Sequence, residues 1–137
     1  MYTKLHEWEK AMSDQLLFRD ECYAIVGAAM AVHNELGAAF LEAVYHEAME
    51  IELRERGIPF QSQVALPITY KGHVLRKAYI ADFICFGKII VEIKAISRLS
   101  KTDSAQAINY LAATGLRLAV LINFGDPARL DWERIIL

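Results

Sequence analysis

The apolar residues of this 137-residue chain change period at Gly57, and no single kind of secondary structure can serve both periods. Before it, Cys22, Ile25, Val26, Ala29, Met30, Val32, His33 and Leu36 recur at three- and four-residue steps after Asp20 and stop at Gly37. A second segment of this kind runs from about Ala39 to Arg56 and stops at Gly57. Both predict amphipathic helices ended by glycine. Leu5, Trp8, Met12 and Leu16 predict a further helix over Tyr2–Leu17, with packing as its role. After Gly57, Val64, Leu66, Ile68 and Tyr70 alternate with polar or small residues, Lys71-Gly72 reads as a turn, and Val74–Phe86 resumes as an extended segment. Gly87-Lys88 breaks it before Ile89–Lys94, giving three antiparallel strands in the simplest reading. Thr102-Asp103 then caps a helix ending near Gly115, Leu116–Phe124 reads as a buried strand, and Trp132–Leu137 as a last short one. The expectation is one α/β domain over residues 19–137, a central mixed sheet flanked by helices, with residues 1–18 as a helical extension.

Composition closes off other classes. With 55% hydrophobic and 23% charged residues, disorder, collagen and disulfide-held miniature scaffolds are excluded, and a chain this long buries a core unaided. The longest apolar run, Cys22–Val32, falls short of the ~18 residues that cross a bilayer, so no membrane segment is expected. Cys22 and Cys85 stand apart without a CxxC pair, which excludes an iron–sulfur or zinc site and reads as two free thiols in a reducing cytoplasm. Net charge is −2, yet its distribution is uneven: residues 1–55 carry four Lys/Arg against eleven Asp/Glu, and residues 56–101 carry eight against two. The basic segment, with Arg76, Lys77, Lys88, Arg98 and Lys101, is where a phosphate-contacting surface is expected.

Chemistry concentrates in the same segment. Glu92 and Lys94 flank Ile93 on an otherwise hydrophobic strand, and side chains two apart share a sheet face. A three-residue turn around Gly87 sets Asp82 opposite Glu92, whereas a two-residue turn at Gly87-Lys88 sends the two carboxylates to opposite faces. Two carboxylates and a lysine on one strand pair suit metal-assisted phosphodiester hydrolysis: hard oxygens hold Mg²⁺ (or Mn²⁺), and the ammonium positions water and offsets phosphorane charge. The competing reading of the same triplet is a cross-strand salt bridge on an exposed sheet face, worth little.

At ~100° per residue, Glu42 falls with Met49 and Leu53 inside the apolar arc of its helix, where a carboxylate must be paired, metal-bound or at a cleft edge. His46, one turn on, reads as a helix-edge histidine bonded to water or to Glu42 rather than as a ligand. On the helix after Asp103, Ile108, Leu111 and Ala112 form the predicted core stripe, with Gln106, Asn109 and Tyr110 on the other side. Gln106 and Tyr110, one turn apart, either orient the lysine or a phosphate oxygen, or form an ordinary polar face.

Glu42, Asp82, Glu92-Ile93-Lys94 and Gln106–Tyr110 stand in the order E, D, ExK, QxxxY and resemble the exonuclease-like branch of the PD-(D/E)XK nuclease superfamily. Leu36–Tyr45, Ala81–Phe83, Val91–Ala95 and Leu121–Gly125 resemble its small GxxExxY proteins, with Ala39 where that motif has its first glycine, a change expected to lengthen the helix by a turn. The resemblance implies a restriction-endonuclease-like core and a Mg²⁺-dependent nuclease of DNA or RNA that leaves a 5′-phosphate. By the same resemblance Asp82, Glu92 and the Ile93 carbonyl hold the metal, Glu42 binds it or its waters, Lys94 activates water, and Gln106 and Tyr110 orient Lys94 and the phosphate.

Two rivals use the same residues. One is a non-catalytic nucleic-acid- or protein-binding module that keeps the fold; the other is a small hydrolase of a nucleotide or another phosphoester. A domain of this size leaves little surface for a clamp, which a homodimer formed through Tyr2–Leu17 could supply.

Overall fold

The computed structural model describes the backbone of residues 4–137 and the side chains from His6 onward. Its elements run α1 (Lys4–Leu16), α2 (Arg19–Leu36), α3 (Glu42–Glu55), β1 (Phe60–Tyr70), β2 (His73–Cys85), β3 (Ile89–Lys94), α4 (Lys101–Thr114), β4 (Leu118–Asn123) and β5 (Asp131–Ile136). The strands form one mixed sheet in the order β1-β2-β3-β4-β5, antiparallel except for β3 and β4, which α4 connects. A parallel pair needs such a crossover, and covering both faces explains why β3 and β4 are mostly hydrophobic, broken only by Glu92 and Lys94 in β3 and Asn123 at the end of β4. One core lies between the sheet and α2 and α3, with Ile25, Ala29, Tyr45, Met49 and Leu53 against Phe83, Val91 and Val120. The other lies under α4, where Ala107, Tyr110 and Leu111 meet Ile90, Ala119 and Leu121. No described helix is long and apolar enough to cross a membrane, and both cysteines are buried free thiols.

Several local expectations need correcting. Residues 37–41 form a loop, and Ala39 does not lengthen α3. The Tyr45 hydroxyl donates to Gly37 O at 2.6 Å and accepts from Phe40 N at 3.2 Å, so the loop's polar groups are held outside the helix. Tyr45→Phe keeps the ring stacked 4.6 Å from Phe124 but strands both partners, and should cost about 1–2 kcal/mol in denaturant unfolding. In α4 the buried stripe is Ala107, Tyr110 and Leu111, while Ile108 and Ala112 are exposed. The Tyr110 ring packs 4.9 Å from that of Tyr79 and turns the helix that way.

Helix α1 is tied down by polar contacts rather than by its apolar stripe, since Trp8 and Leu16 are exposed. The Arg134 guanidinium donates to the carbonyls of Asp14, Gln15 and Leu17, and Arg117 pairs with Asp14 at 3.2 Å. Cations are favourable at a helix C-terminus, where the last carbonyls lack partners. Tyr2 and the Leu5 side chain, included in that predicted helix, lie outside the described residues.

Two features position the strand ends. Cys85 pairs with Ile89 across Phe86-Gly87-Lys88, with φ of 56° at Phe86 and 67° at Gly87 and Lys88 N donating to Cys85 O at 3.1 Å. This is the odd-length turn that carries Asp82 opposite Glu92. Beyond Phe83↔Val91 the ladder between β2 and β3 opens. There the hairpin also turns over: Phe83 packs in the first core and Ala81 in the second, although residues two apart on a regular strand share a face. Opposite them, Gln63 takes a left-handed φ of 54° between Ser62, which meets His46, and Val64, which packs under α4.

Candidate active site

Asp82 sits where β2 leaves the ladder, so its backbone has lost its strand partner. Its N–H donates to Glu92 Oε1 at 3.0 Å, and its own Oδ2 accepts from Ile93 N at 2.8 Å. The two carboxylates thus replace the missing rungs between the strands, each using one oxygen on a main-chain N–H. Glu92 is buried, 6% exposed, at the end of a hydrophobic strand. Burial, then the Asp82 charge, pushes its carboxyl up to about 8 from an ordinary 4.5.

This shift has a sign that can be checked. Between about 4.5 and 8 the unfolded chain has lost the Glu92 proton while the folded chain keeps it, so stability falls as pH rises through that window. In chelator, thermal melts from pH 5 to 9 should show this decline, and Glu92→Gln should flatten it. A wild-type profile that is level across the window contradicts the assignment.

Helix α3 brings two more groups to the cleft. Glu42 occupies its first turn and is exposed at the cleft mouth, not within the packing arc. Loop 37–41 starts the helix so late that this carboxylate sits at its end instead of on its buried side. Partial desolvation and the Asp82 charge raise its pKa, partly offset by Lys94 and His46. His46, expected at the helix edge bonded to water or to Glu42, is instead buried against groups from β1 and β2. Its ring stacks on Phe83 with centroids 4.4 Å apart, Nδ1 lies 3.6 Å from Asp82 Oδ1, and Nε2 lies 2.8 Å from the Ser62 hydroxyl and 3.4 Å from Glu50. Glu42, His46, Glu50, Gln63 and Asp82 line an open cleft of about 660 Å³. His46 carries no signal of this role in the sequence beyond its position one turn after Glu42.

On the other side α4 meets the lysine. Lys94 Nζ donates to Gln106 Oε1 at 3.4 Å and lies 3.9 Å from Asp103 Oδ1, whose other oxygen completes the Ser100 capping box. Gln106 in turn donates to the Tyr110 hydroxyl at 3.2 Å. Tyr110 is pushed up to about 12 by burial and then by the Glu92 and Asp82 charges, so it is a neutral phenol beside the acids. The main chain after Lys94 is fixed from β4. Phe124 N donates to Lys94 O, and the fully buried Asn123 amide donates to Ile96 O at 2.8 Å and accepts from Ile96 N and Gly125 N.

Of the six sequence-predicted side chains, Asp82 and Glu92 are joined directly, Lys94, Gln106 and Tyr110 form a chain beside them, and Glu42 faces them across the cleft mouth. Among the described residues, no three His, Cys, Asp or Glu side chains converge closely enough to form a metal cage. The predicted set of Glu42, Asp82 and Glu92 is therefore looser than expected, because Glu42 stays at the surface. The chemistry of the pair still suits a divalent cation. Each carboxylate has a second oxygen beyond its main-chain bond, and the buried Glu92 carboxyl, which burial and the Asp82 charge keep protonated, would ionise once a cation stands beside it. Mg²⁺ characteristically takes one or two carboxylates and keeps waters or substrate oxygens for the rest. Lys88, one of the predicted rim cations, is engaged elsewhere, 2.7 Å from Glu21 and over the Phe18 ring at the far end of β3.

A family profile described as the PD-(D/E)XK nuclease superfamily matches residues 19–135. The chain belongs to that superfamily. Its mixed five-stranded sheet with four helices is consistent with the superfamily's restriction-endonuclease-like core. Among solved structures, the crystal structure of SSO0001 superposes with a TM-score of 0.56 at 22% identity, over 69% of this chain and 50% of that one. This chain thus spans about half the length of that structure, and the likeness is one of fold. No curated protein matches the chain. Superfamily membership makes a nuclease-like function the coarse assignment.

Proposed function

We propose that this chain is a Mg²⁺- or Mn²⁺-dependent nuclease that hydrolyses phosphodiester bonds of nucleic acid in the cytoplasm, and that within its superfamily it stands with the GxxExxY proteins that carry a QxxxY helix. The observation that supports it best is the exchange of hydrogen bonds between Asp82 and Glu92, which holds two carboxylates together at a strand break beside a lysine. Asp82 and Glu92, with the Ile93 carbonyl, would hold the cation, and Glu42 would reach its water shell from the cleft mouth. A divalent ion bound there supplies Lewis-acid polarisation of the phosphate and a more acidic water. Lys94 steadies the attacking water and offsets charge as the phosphorane forms. Gln106 fixes the Lys94 ammonium by the 3.4 Å bond, and Tyr110 anchors Gln106 and offers its hydroxyl toward the phosphate.

The test is a metal-titrated cleavage assay on single- and double-stranded DNA and RNA, with mononucleotide products followed alongside. Turnover should require Mg²⁺ or Mn²⁺. Lys94→Ala should keep metal-induced stabilisation while losing at least about a hundredfold in rate. The open geometry, without a third converging ligand among the described residues, favours the rival reading of a binding module. That reading takes over if the wild type binds nucleic acid but cleaves nothing at any metal concentration.

A further inference from the structure

The β1–β2 hairpin continues far past the sheet that anchors it. β2 pairs with β3 only at Phe83, Ile84 and Cys85, while β1 and β2 stay paired out to Tyr70↔His73. Up to Leu66 and Tyr79 one face of the hairpin rests on α4. At a register shift Leu75, Arg76 and Lys77 of β2 bulge out between the pairs Thr69↔Val74 and Pro67↔Ala78, and every residue from Thr69 to Lys77 is exposed, so this distal part is a bare, bulged two-stranded ribbon. Its tip is a tight turn with φ of 48° at Lys71 and 79° at Gly72.

The ribbon's chemistry is one-sided. Between Gln61 and Ala81 stand Lys71, His73, Arg76 and Lys77, with no Asp or Glu. Among the described residues, Lys71, Arg76 and Lys77 enter no ion pair within 4.0 Å, whereas Lys88 is neutralised by Glu21. Interleaved with these cations are exposed Tyr70, Val74 and Leu75. Cations without local acids suit a polyanion, and an exposed two-stranded ribbon is one of the two elements that fit the major groove of B-form DNA. The A-form groove of duplex RNA is too deep and narrow for it. The reach also matches. From Val74 to Ala78 β2 spends four residues where β1 spends two, so the tip stands about eight regular steps of ~3.3 Å from Asp82, or ~26 Å, within one turn of the double helix.

We propose that this distal ribbon is the substrate grip, entering the major groove of B-form duplex DNA while the backbone less than one turn away meets the Asp82–Glu92 pair. The inference rests on the nuclease reading for what the grip serves and names duplex DNA as the substrate class. Lys71, Arg76 and Lys77 contact phosphates, and Val74 lies against base edges.

The experiment is fluorescence anisotropy of the full chain with a labelled DNA duplex of about two turns, in EDTA so that nothing is cleaved, across a salt series. Replacing Lys71, Arg76 and Lys77 together by alanine should weaken binding at least about tenfold and reduce the slope of log affinity against log salt by about 2.7, close to 0.9 per lost phosphate contact. Arg76→Lys should keep the slope and Lys88→Ala should bind like wild type, while an unchanged melting temperature shows that the triple variant is folded. Absence of wild-type binding, an unaltered slope in the triple variant, or equal affinity for duplex RNA or single strands overturns the proposal. Ribbon-dependent binding without cleavage would refute only the catalytic reading; cleavage with ribbon-independent binding would refute only the grip.

Discussion

Asp82→Asn is expected to abolish metal-dependent cleavage, with a loss of roughly a thousandfold or more, while leaving the fold intact. Asparagine has the same shape and can still accept from Ile93 N through its amide oxygen, which in the wild type is the 2.8 Å bond to Asp82 Oδ2. What disappears is the charge that would hold the cation. That charge also opposes the buried Glu92 carboxylate, one cause of its raised pKa, so its removal relieves repulsion in the metal-free protein. Melting in chelator should be unchanged or slightly higher. If Asp82→Asn instead unfolds the chain and the wild type shows no turnover to lose, the carboxylate pair is a structural strut.

The second large effect is expected at a glycine that takes no part in the proposed chemistry. A Cβ at Gly125 would stand 2.1 Å from Ile96 O and 2.5 Å from Ile96 N, contacts with main chain that no rotamer change can relieve. Gly125→Ala must push β4's end away from the strand that carries Lys94 and should cost about 3 kcal/mol or more. The same movement strains the Asn123 bonds to Ile96 and the Phe124–Lys94 bond, so any folded fraction should also lose activity. Denaturant unfolding measures this directly, and a midpoint equal to wild type would show that the segment after Lys94 is freer than the close packing implies.

The order of elements was legible because each carries a strong local signal. The period changes at Gly57, glycines close α2 and α3, and both central strands are predominantly hydrophobic. The facing of Asp82 and Glu92 was legible as a condition, an odd turn, which Phe86-Gly87-Lys88 meets. The same arithmetic failed for Glu42 because it assumed a helix from Ala39, and Tyr45's bonds to Gly37 and Phe40 are tertiary in effect. Tyr110 and Ile108 exchanged roles because ring packing against Tyr79 outweighs the hydrophobic pattern. His46 was hidden because its partners Ser62 and Asp82 come from two other strands. The turnover of the hairpin at Gln63 has no signature in the sequence, since a glutamine rarely takes a positive φ.

Metal-induced stabilisation tests most directly, and without any substrate, whether Asp82 and Glu92 form a cation site. Thermal melts of the wild type with increasing Mg²⁺ and Mn²⁺ at pH 8 should show a saturable rise in melting temperature, absent in Asp82→Asn and in Glu92→Gln. A wild-type melting temperature indifferent to both ions, or a rise that persists in both variants, would contradict that site.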